Sequence, residues 1–209
     1  MPNIVYVGPN AWFTDSEGHI VYKDQHGVWK DELTPGFVAK PGGTAMAPGV
    51  YNGAIYYNLM SAGAGGDEAH VSTQINHDWD TSVDGTGKCI VRPHLHLGLK
   101  VAPGGGTKNI QYQITYCKSA IAQVASVEAS LAAVTVDVGA MAQYTEVMLN
   151  LGDVDMAAGA YNKESAILGW FVKRLTPANP YDLGASIALL SLDVHYRVKK
   201  LGTLTETPG

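Results

Sequence analysis

Two segments of the chain alternate between apolar and polar residues, and both carry histidine among the polar ones. Side chains of a β-strand point to opposite faces with a period of two, so each segment predicts a strand with one apolar face. Segment 91–101 places His94 and His96 opposite a row of aliphatic side chains. Segment 188–198 places Asp193 and His195 opposite a row that begins with Leu190. The polar faces of the two strands therefore form either a binding site or an outer or inter-subunit face.

The same alternation, interrupted by turns rich in Gly and Pro, continues along the chain from about residue 50. Eight candidate strands follow, at 54–59, 70–76, 90–101, 110–118, 134–138, 145–151, 165–175 and 186–199. Segment 165–175 is apolar on both faces, which indicates a central or doubly covered strand. This spacing predicts an all-β fold, a jelly roll or other β-sandwich. The glycine-rich segment 103–107 predicts a hairpin between the third and fourth strands.

One stretch departs from the period of two. Its apolar residues recur at spacings of three and four, which is the period of a helix. We therefore predict either a helix or a long irregular connection near 119–132, on the spacing of Ile121, Val124, Val127, Leu131 and Val134.

Residues 1–48 differ from the rest, because short strand-like pieces alternate there with dense Gly and Pro turns. They predict an extended arm or small hairpin subdomain, followed by a jelly-roll domain over 49–209. An arm that cannot bury its own aromatic side chains is expected to dock on another surface. The candidate docking residues are Tyr6, Trp12, Phe13, Tyr22 and Trp29.

Composition excludes several classes of function. The chain is 46% hydrophobic and 16% charged with a net charge of −5, so it has no basic stripe for nucleic acid. No signal peptide is recognisable, and no apolar run reaches the roughly 18 residues of a membrane helix. We expect synthesis in a cytoplasm, no membrane partner, and Cys89 and Cys117 as two buried thiols, with a single disulfide as the alternative.

The His-X-His pair suggests a metal site of the cupin type, because two histidines at i and i+2 project from one strand face. A cupin needs a carboxylate four or five residues after the second histidine, and residues 97–103 contain none. Arg92 and Lys100 also add positive charge beside the pair, although Asp193 and His195 could complete a site from a neighbouring strand. We therefore predict no bound metal and no cofactor, with His94, His96 and His195 as the weak metal candidates.

Other catalytic or ligand-binding motifs are lacking. The Asp-rich segment 78–87 does not have EF-hand spacing, and the expected structure is a turn with Trp79 anchored in the core. The glycine-rich loops are not followed by the Lys-Ser/Thr of a phosphate loop. There is no Gly-X-Ser-X-Gly elbow and no activated cysteine. The sequence predicts no enzyme.

Two blocks of the chain resemble tailed-phage virion proteins. Residues 74–80 (Gln-Ile-Asn-His-Asp-Trp-Asp) followed by 91–96 (Val-Arg-Pro-His-Leu-His) are similar to paired strands of that family. Tyr181, Asp182 and then the Leu-Asp-Val-His-Tyr of 192–196 with Leu201 and Gly202 resemble its closing strand, and Arg174 also fits. The resemblance spans about residues 50–203. Leu97 stands where the family has Trp, and 118–165 carries no matching motif.

This resemblance implies a jelly-roll structural protein of the virion, with no catalytic chemistry. The leading hypothesis is a capsid decoration or cement protein, a homotrimer on the capsid exterior that binds the major capsid protein. The alternative is a receptor- or glycan-binding module of a head or tail fibre, with Trp12, Trp29 or Tyr161 stacked on sugars. A cupin-like metal enzyme is the third hypothesis.

Overall fold

The computed structural model describes residues 68–181 and 187–198 in full, the backbone of seven strands between residues 4 and 60, and the side chains of Lys30, Asp31 and Leu33. The described residues form β-strands and no helix, which confirms the all-β prediction. The strands are β1 (Ile4–Val7), β2 (Asn10–Thr14), β3 (Ile20–Tyr22), β4 (Val28–Pro35), β5 (Lys40–Pro41), β6 (Pro48–Tyr51), β7 (Ile55–Met60), β8 (Glu68–Gln74), β9 (Ile90–Leu99), β10 (Asn109–Ser119), β11 (Ala129–Ser130), β12 (Val134–Asp137), β13 (Glu146–Asn150), β14 (Val154–Asp155), β15 (Ile167–Leu175) and β16 (Ile187–Val198).

Two antiparallel sheets face each other in a jelly roll. The first sheet has the order β13-β9-β16-β7-β6, with β4 also on β16 and β14 on β9. The second has the order β11-β10-β15-β8-β5, with β12 also on β10. From β7 to β10 successive strands alternate between the two sheets, and β16 returns to lie between β7 and β9. These long connections are those of paired Greek keys, so the predicted jelly roll is confirmed.

The core lies between the inner faces of the two sheets. Alternate residues of β9, β10 and β15 are buried there, as the period of two requires, and β16 is buried along most of its length. Trp170 on the central strand β15 is buried, and its Nε1 donates a hydrogen bond to Thr73 Oγ1 on β8 at 3.2 Å. Trp79 is also buried, which agrees with the predicted anchored turn. All eight strands predicted between residues 54 and 199 are present, with small shifts at their ends.

The glycine-rich loop 103–107 is not a hairpin, and this prediction was wrong. It connects β9 and β10, which belong to different sheets. Gly104, Gly105 and Gly106 all have positive φ, and the loop packs so closely on Gly139 that a Cβ there would overlap the carbonyl of Gly106. Glycines with positive φ serve a crossover between sheets as well as a hairpin, because both need a sharp reversal of the chain.

The stretch near 119–132 is an irregular connection that includes β11, so the second of the two predicted alternatives holds. Its backbone is held by hydrogen bonds that replace a helix ladder. Ser126 N donates to Lys118 O, Ser126 Oγ accepts from Lys118 N, and Tyr161 Oη donates to Val124 O, each at 2.8 Å. Residues with helical spacing in the sequence thus lie on an ordered loop.

Residues 1–48 contribute both a separate unit and parts of the sandwich. Strands β1, β2 and β3 form their own antiparallel sheet of three strands. Strand β4 pairs with β16 over eight residues, and β5 pairs with β8. The domain boundary at residue 48 stays a prediction. In the described part of the chain, no helix is long and apolar enough to cross a membrane.

Candidate functional site

The two histidine-bearing segments are neighbouring antiparallel strands of one sheet. Strand β9 pairs with β16 so that His94 lies opposite Asp193 and Arg92 lies opposite His195. On its other side β9 pairs with β13, and β16 pairs with β4 so that Asp31 lies opposite His195. The polar side chains of four strands therefore meet on the outer face of this sheet, where we call His94, His96, His195, Asp31, Glu146 and Asp193 the histidine cluster.

A β-bulge at Leu190 sets which residues of β16 belong to this face. Leu189 pairs with Leu97 and Ser191 pairs with His96, so Leu190 is an extra residue between two consecutive partners. Ile187 and Leu189 are buried before the bulge, and Leu192 and Val194 after it. The predicted inward row holds for Leu192, Val194 and Tyr196, and Leu190 is the half-buried extra residue at which the alternation reverses.

His96 joins three strands through two carboxylates. Its Nε2 lies 2.9 Å from Asp193 Oδ2 on β16, and its Nδ1 contacts Glu146 Oε1 on β13. A neutral imidazole has one donor nitrogen, whereas an ionised carboxylate only accepts hydrogen bonds. Both contacts are therefore hydrogen bonds when both ring nitrogens carry protons, and in that form His96 ties the edge strand β13 to β16 across β9.

His195 and His94 form a second pair beside this one. His195 Nε2 lies 2.6 Å from Asp31 Oδ1 on β4, and the His94 and His195 ring centroids are 4.0 Å apart with the rings edge to face. Within the described residues, the buried atoms Nδ1 of His94 and Oδ1 of Asp193 have no hydrogen-bond partner. The cluster thus binds its four strands together and leaves two polar atoms without protein partners.

Burial lowers the pKa of His94, and the nearby charge of His195 adds to this, while Asp193 acts in the opposite direction. Folding therefore favours the neutral ring, and the unfolded chain binds a proton more readily. As the pH falls from 6.5, the ordinary pKa of histidine, towards the lower folded value, the free energy of unfolding decreases. Well above pH 6.5 the ring is neutral in both the folded and the unfolded chain, and its titration no longer changes the free energy of unfolding.

We expect His94→Gln to reduce the loss of stability between pH 7.5 and pH 5.5, as measured by urea unfolding at each pH. The variant lacks the titrating ring that must be held neutral in the folded protein. Asn150→Ala is the matched control, because Asn150 lies opposite His94 on β13 and does not titrate. An acid dependence that is the same in wild type and His94→Gln would contradict this account.

The structure brings the three metal candidates onto one face but does not arrange them as a metal site. Among the described residues, no group of three or more His, Cys, Asp or Glu side chains is placed to hold a metal ion. His96 and His195 direct ring nitrogens at carboxylates, and Arg92 pairs with Asp153 at 2.9 Å beside the cluster. The absence of a bound metal stays a prediction.

The Asp-rich turn uses its carboxylates for contacts within the protein. Asp84 Oδ1 accepts hydrogen bonds from Thr86 N, Thr86 Oγ1 and Lys88 N, at 2.8, 2.7 and 3.0 Å. These bonds lower the pKa of Asp84. Asp78 pairs with Lys30 on β4 at 3.0 Å. These contacts fit a structural turn, as the sequence predicts.

Both cysteines are free thiols, but only Cys89 is buried, and Cys117 is half-buried on β10. Burial and the charge of Asp80 raise the pKa of the Cys89 thiol to about 12. The prediction of two buried thiols is thus correct for Cys89 and wrong for Cys117, which lies on the outer face of its sheet.

We expect a disulfide reagent such as DTNB to modify about one thiol per native chain and two after unfolding, since thiolate is the reactive form. Cys117→Ser should remove the native reaction, and Cys89→Ser should leave it. Equal reaction rates of the two thiols in the native protein would contradict the described burial.

Two surfaces of the described structure escaped the sequence analysis. The first is a hollow of about 300 Å³ on the outer face of the second sheet, centred on Gly169 and bordered by Cys117, Phe171 and Ser72. We call it the Gly169 hollow. The second is the apolar loop, residues 120–127, where Ile121 is 62% exposed and Val124 and Val127 are each 88% exposed. The helical spacing of these residues in the sequence suggested burial, not an ordered and exposed loop.

The five aromatic residues proposed for the arm, Tyr6, Trp12, Phe13, Tyr22 and Trp29, have side chains outside the described part of the chain. Their backbone lies in β1 to β4. Tyr161, the third aromatic proposed for sugar stacking, has Lys118 Nζ 5.0 Å above its ring, and its hydroxyl is bonded to Val124 O. Tyr161 therefore stabilises the apolar loop through its hydrogen bond to Val124.

Comparison with known proteins gives no family. No family model matches the sequence, and no curated protein matches it. Among solved structures, a chain from the structure of infectious bursal disease virus Gt strain matches with a TM-score of 0.37 and 8% sequence identity. The match covers 96% of this chain and 44% of that chain, so this protein spans less than half of that chain's length.

Proposed function

We propose that this chain is a structural protein of a tailed-bacteriophage virion, and specifically a capsid decoration or cement protein. In this role it binds the major capsid protein on the capsid exterior as a homotrimer and has no enzymatic activity. The observation that carries the proposal is the apolar loop, an ordered surface that one copy of the chain leaves in water.

The apolar loop has the properties of a contact surface. Residues 120–127 contain no charged side chain, and three large aliphatic side chains project from them into solvent. The hydrogen bonds of Ser126 and Val124 hold the loop in one shape, so little conformational entropy is lost when it binds. Exposed apolar patches on an ordered surface mark sites of protein association.

The residues that carry the resemblance to phage virion proteins make internal contacts. Trp79 is buried, His96 bonds to Asp193, and the buried guanidinium of Arg174 donates from Nη2 to Tyr181 O at 3.0 Å. These side chains hold strands and turns of the jelly roll together. The resemblance therefore concerns the framework, and the function of such a protein depends on its surfaces.

A cement role agrees with the charge and architecture of the chain. A shell under internal pressure gains stability from any protein that clamps adjacent subunits, and a trimer matches a local threefold axis. A net charge of −5 disfavours binding to the packaged genome. The three-stranded sheet of β1, β2 and β3 provides a second surface for contact with the shell or neighbouring copies.

The test is co-sedimentation of purified protein with empty shells made of the major capsid protein, together with equilibrium sedimentation of the protein alone. We expect saturable binding to shells and a mass three times the 22.2 kDa of the chain. Failure to bind shells would overturn the cement role, and a monomer at all concentrations would overturn the trimer.

A further inference from the structure

The Gly169 hollow arises from one missing side chain in a flat sheet face. Cys117, Gly169 and Ser72 lie in one cross-strand row, and Thr115, Phe171 and His70 lie in the next row on the same face. A Cβ on Gly169 would come 2.7 Å from Cys117 Sγ, so no larger residue fits there without displacement of its neighbours. The absent side chain opens a hollow of about 300 Å³ beside the Phe171 ring.

The lining of the hollow combines an aromatic wall with neutral and acidic polar groups. The rings of Phe171 and His70 lie 4.5 Å apart between centroids and support each other. Ser72, Thr115 and Glu128 supply hydroxyl and carboxylate groups around the opening. Thr115 Oγ1 shares a hydrogen bond with Ser130 Oγ at 2.8 Å, which leaves each hydroxyl further capacity to bond.

We propose that the Gly169 hollow binds a neutral sugar ring, with the apolar face of the sugar on Phe171 and its hydroxyls bonded to Ser72, Thr115 and Glu128. A ring with one face of C–H groups and a rim of hydroxyls matches this lining, since aromatic faces attract apolar C–H surface and carboxylates accept from hydroxyls. The volume accommodates one monosaccharide. The proposal is independent of the capsid role and adds a ligand to it.

The charges of the lining select against other small ligands. Among the described lining residues, Glu128 supplies a carboxylate and His70 an imidazole. A phosphate or sulfate ligand would meet the Glu128 carboxylate, and no arginine or lysine is among the lining residues whose side chains the structure describes. A purely apolar ligand would displace water from the hydroxyl and carboxylate groups of the opening without offering them hydrogen bonds in its place. A neutral polyhydroxylated ring avoids both penalties.

The test is a titration of the full-length ¹⁵N-labelled protein with glucose, galactose, mannose and N-acetylglucosamine. Amide chemical shifts are measured by NMR at each sugar concentration. We expect at least one sugar to give saturable shifts at Gly169 and Phe171, with a Kd of about 1 mM. A second titration, with an oligosaccharide of the sugar that binds, distinguishes two possible sources of the ligand. Tighter binding of the oligosaccharide indicates recognition of a glycan chain, and equal binding indicates recognition of a single terminal ring.

Two variants separate the site from the fold. Phe171→Leu keeps apolar volume but removes the flat ring, and we expect it to weaken the Kd about tenfold or more with an unchanged amide spectrum elsewhere. Ile167→Ala is the control, because Ile167 lies on the same strand and face but outside the hollow. Its Kd should equal that of wild type.

Three results would overturn the proposal. They are the absence of saturable shifts with all four sugars, shifts confined to amides away from the hollow, and a Kd unaffected by Phe171→Leu. None of these results bears on shell binding, so failure of the sugar site is distinguishable from failure of the proposed capsid role.

Discussion

The double variant Val124→Asp, Val127→Asp is expected to weaken binding to capsid shells at least about a hundredfold. Both side chains are 88% exposed on an ordered loop, so in the free protein the substitutions disturb no packing. In the bound state each would bury a carboxylate where an aliphatic group made contact. A central contact residue contributes about 2 kcal/mol or more, and two such losses exceed a hundredfold in Kd.

Co-sedimentation with shells measures the loss, and thermal unfolding of the free protein provides the check on folding. We expect the unfolding temperature to stay within a few degrees of wild type, because exposed substitutions have small effects. The control is Val83→Asp, Val101→Asp, which adds the same charge at two exposed valines outside the loop. Full shell affinity in the Val124, Val127 variant would show that the apolar loop is not the contact surface.

Trp170→Ala is expected to lower the free energy of unfolding by about 3–5 kcal/mol, since removal of a large buried side chain leaves a cavity. Trp170 lies on the central strand β15 between β10 and β8, and Tyr116 packs near it with ring centroids 6.2 Å apart. Loss of the indole also removes the hydrogen bond from Nε1 to Thr73.

Urea unfolding with linear extrapolation gives the measurement. Ile167→Ala on the same strand is the comparison, because Ile167 faces outward and is partly exposed, and its cost should stay below about 1 kcal/mol. Similar costs at the two positions would contradict the assignment of inner and outer faces on β15.

The sequence predicts the strands well because alternation and burial have the same cause. Residues such as Leu95 and Val194 are buried where the period of two places them, and the histidines lie on the opposite faces of their strands. The central position of β15 also follows from a segment that is apolar on both faces. Local patterning therefore identifies these strands and their buried faces.

The sequence does not predict how the strands connect or where alternation reverses. A bulge at Leu190 adds one residue to β16, and a run of aliphatic residues gives no local signal of that addition. Glycines at 104–106 fit a hairpin and a crossover equally, because both need positive φ. The spacing of Ile121, Val124 and Val127 matches a helix. Hydrogen bonds from residues distant in the sequence, such as Tyr161, instead stabilise an irregular loop conformation there.

The histidine cluster likewise shows that the sequence predicts the residue types of a site but not their contact partners. Its residue types match those of a metal or catalytic site, and the pairing of β9 with β16 brings the histidines to one face. The partners on β4, β13 and β16 decide their role, since carboxylates bond to His96 and His195 and tie four strands together. The described contacts of the cluster are thus contacts between strands of the jelly roll. The proposals above concern two other surfaces, the apolar loop and the Gly169 hollow.

The capsid role is tested most directly by low-resolution imaging of particles assembled with and without this protein. We expect extra density on the outside of the shell at local threefold axes, present in the particles that contain the protein and absent from the others. Density confined to the tail, or no difference between the two particles, would contradict it.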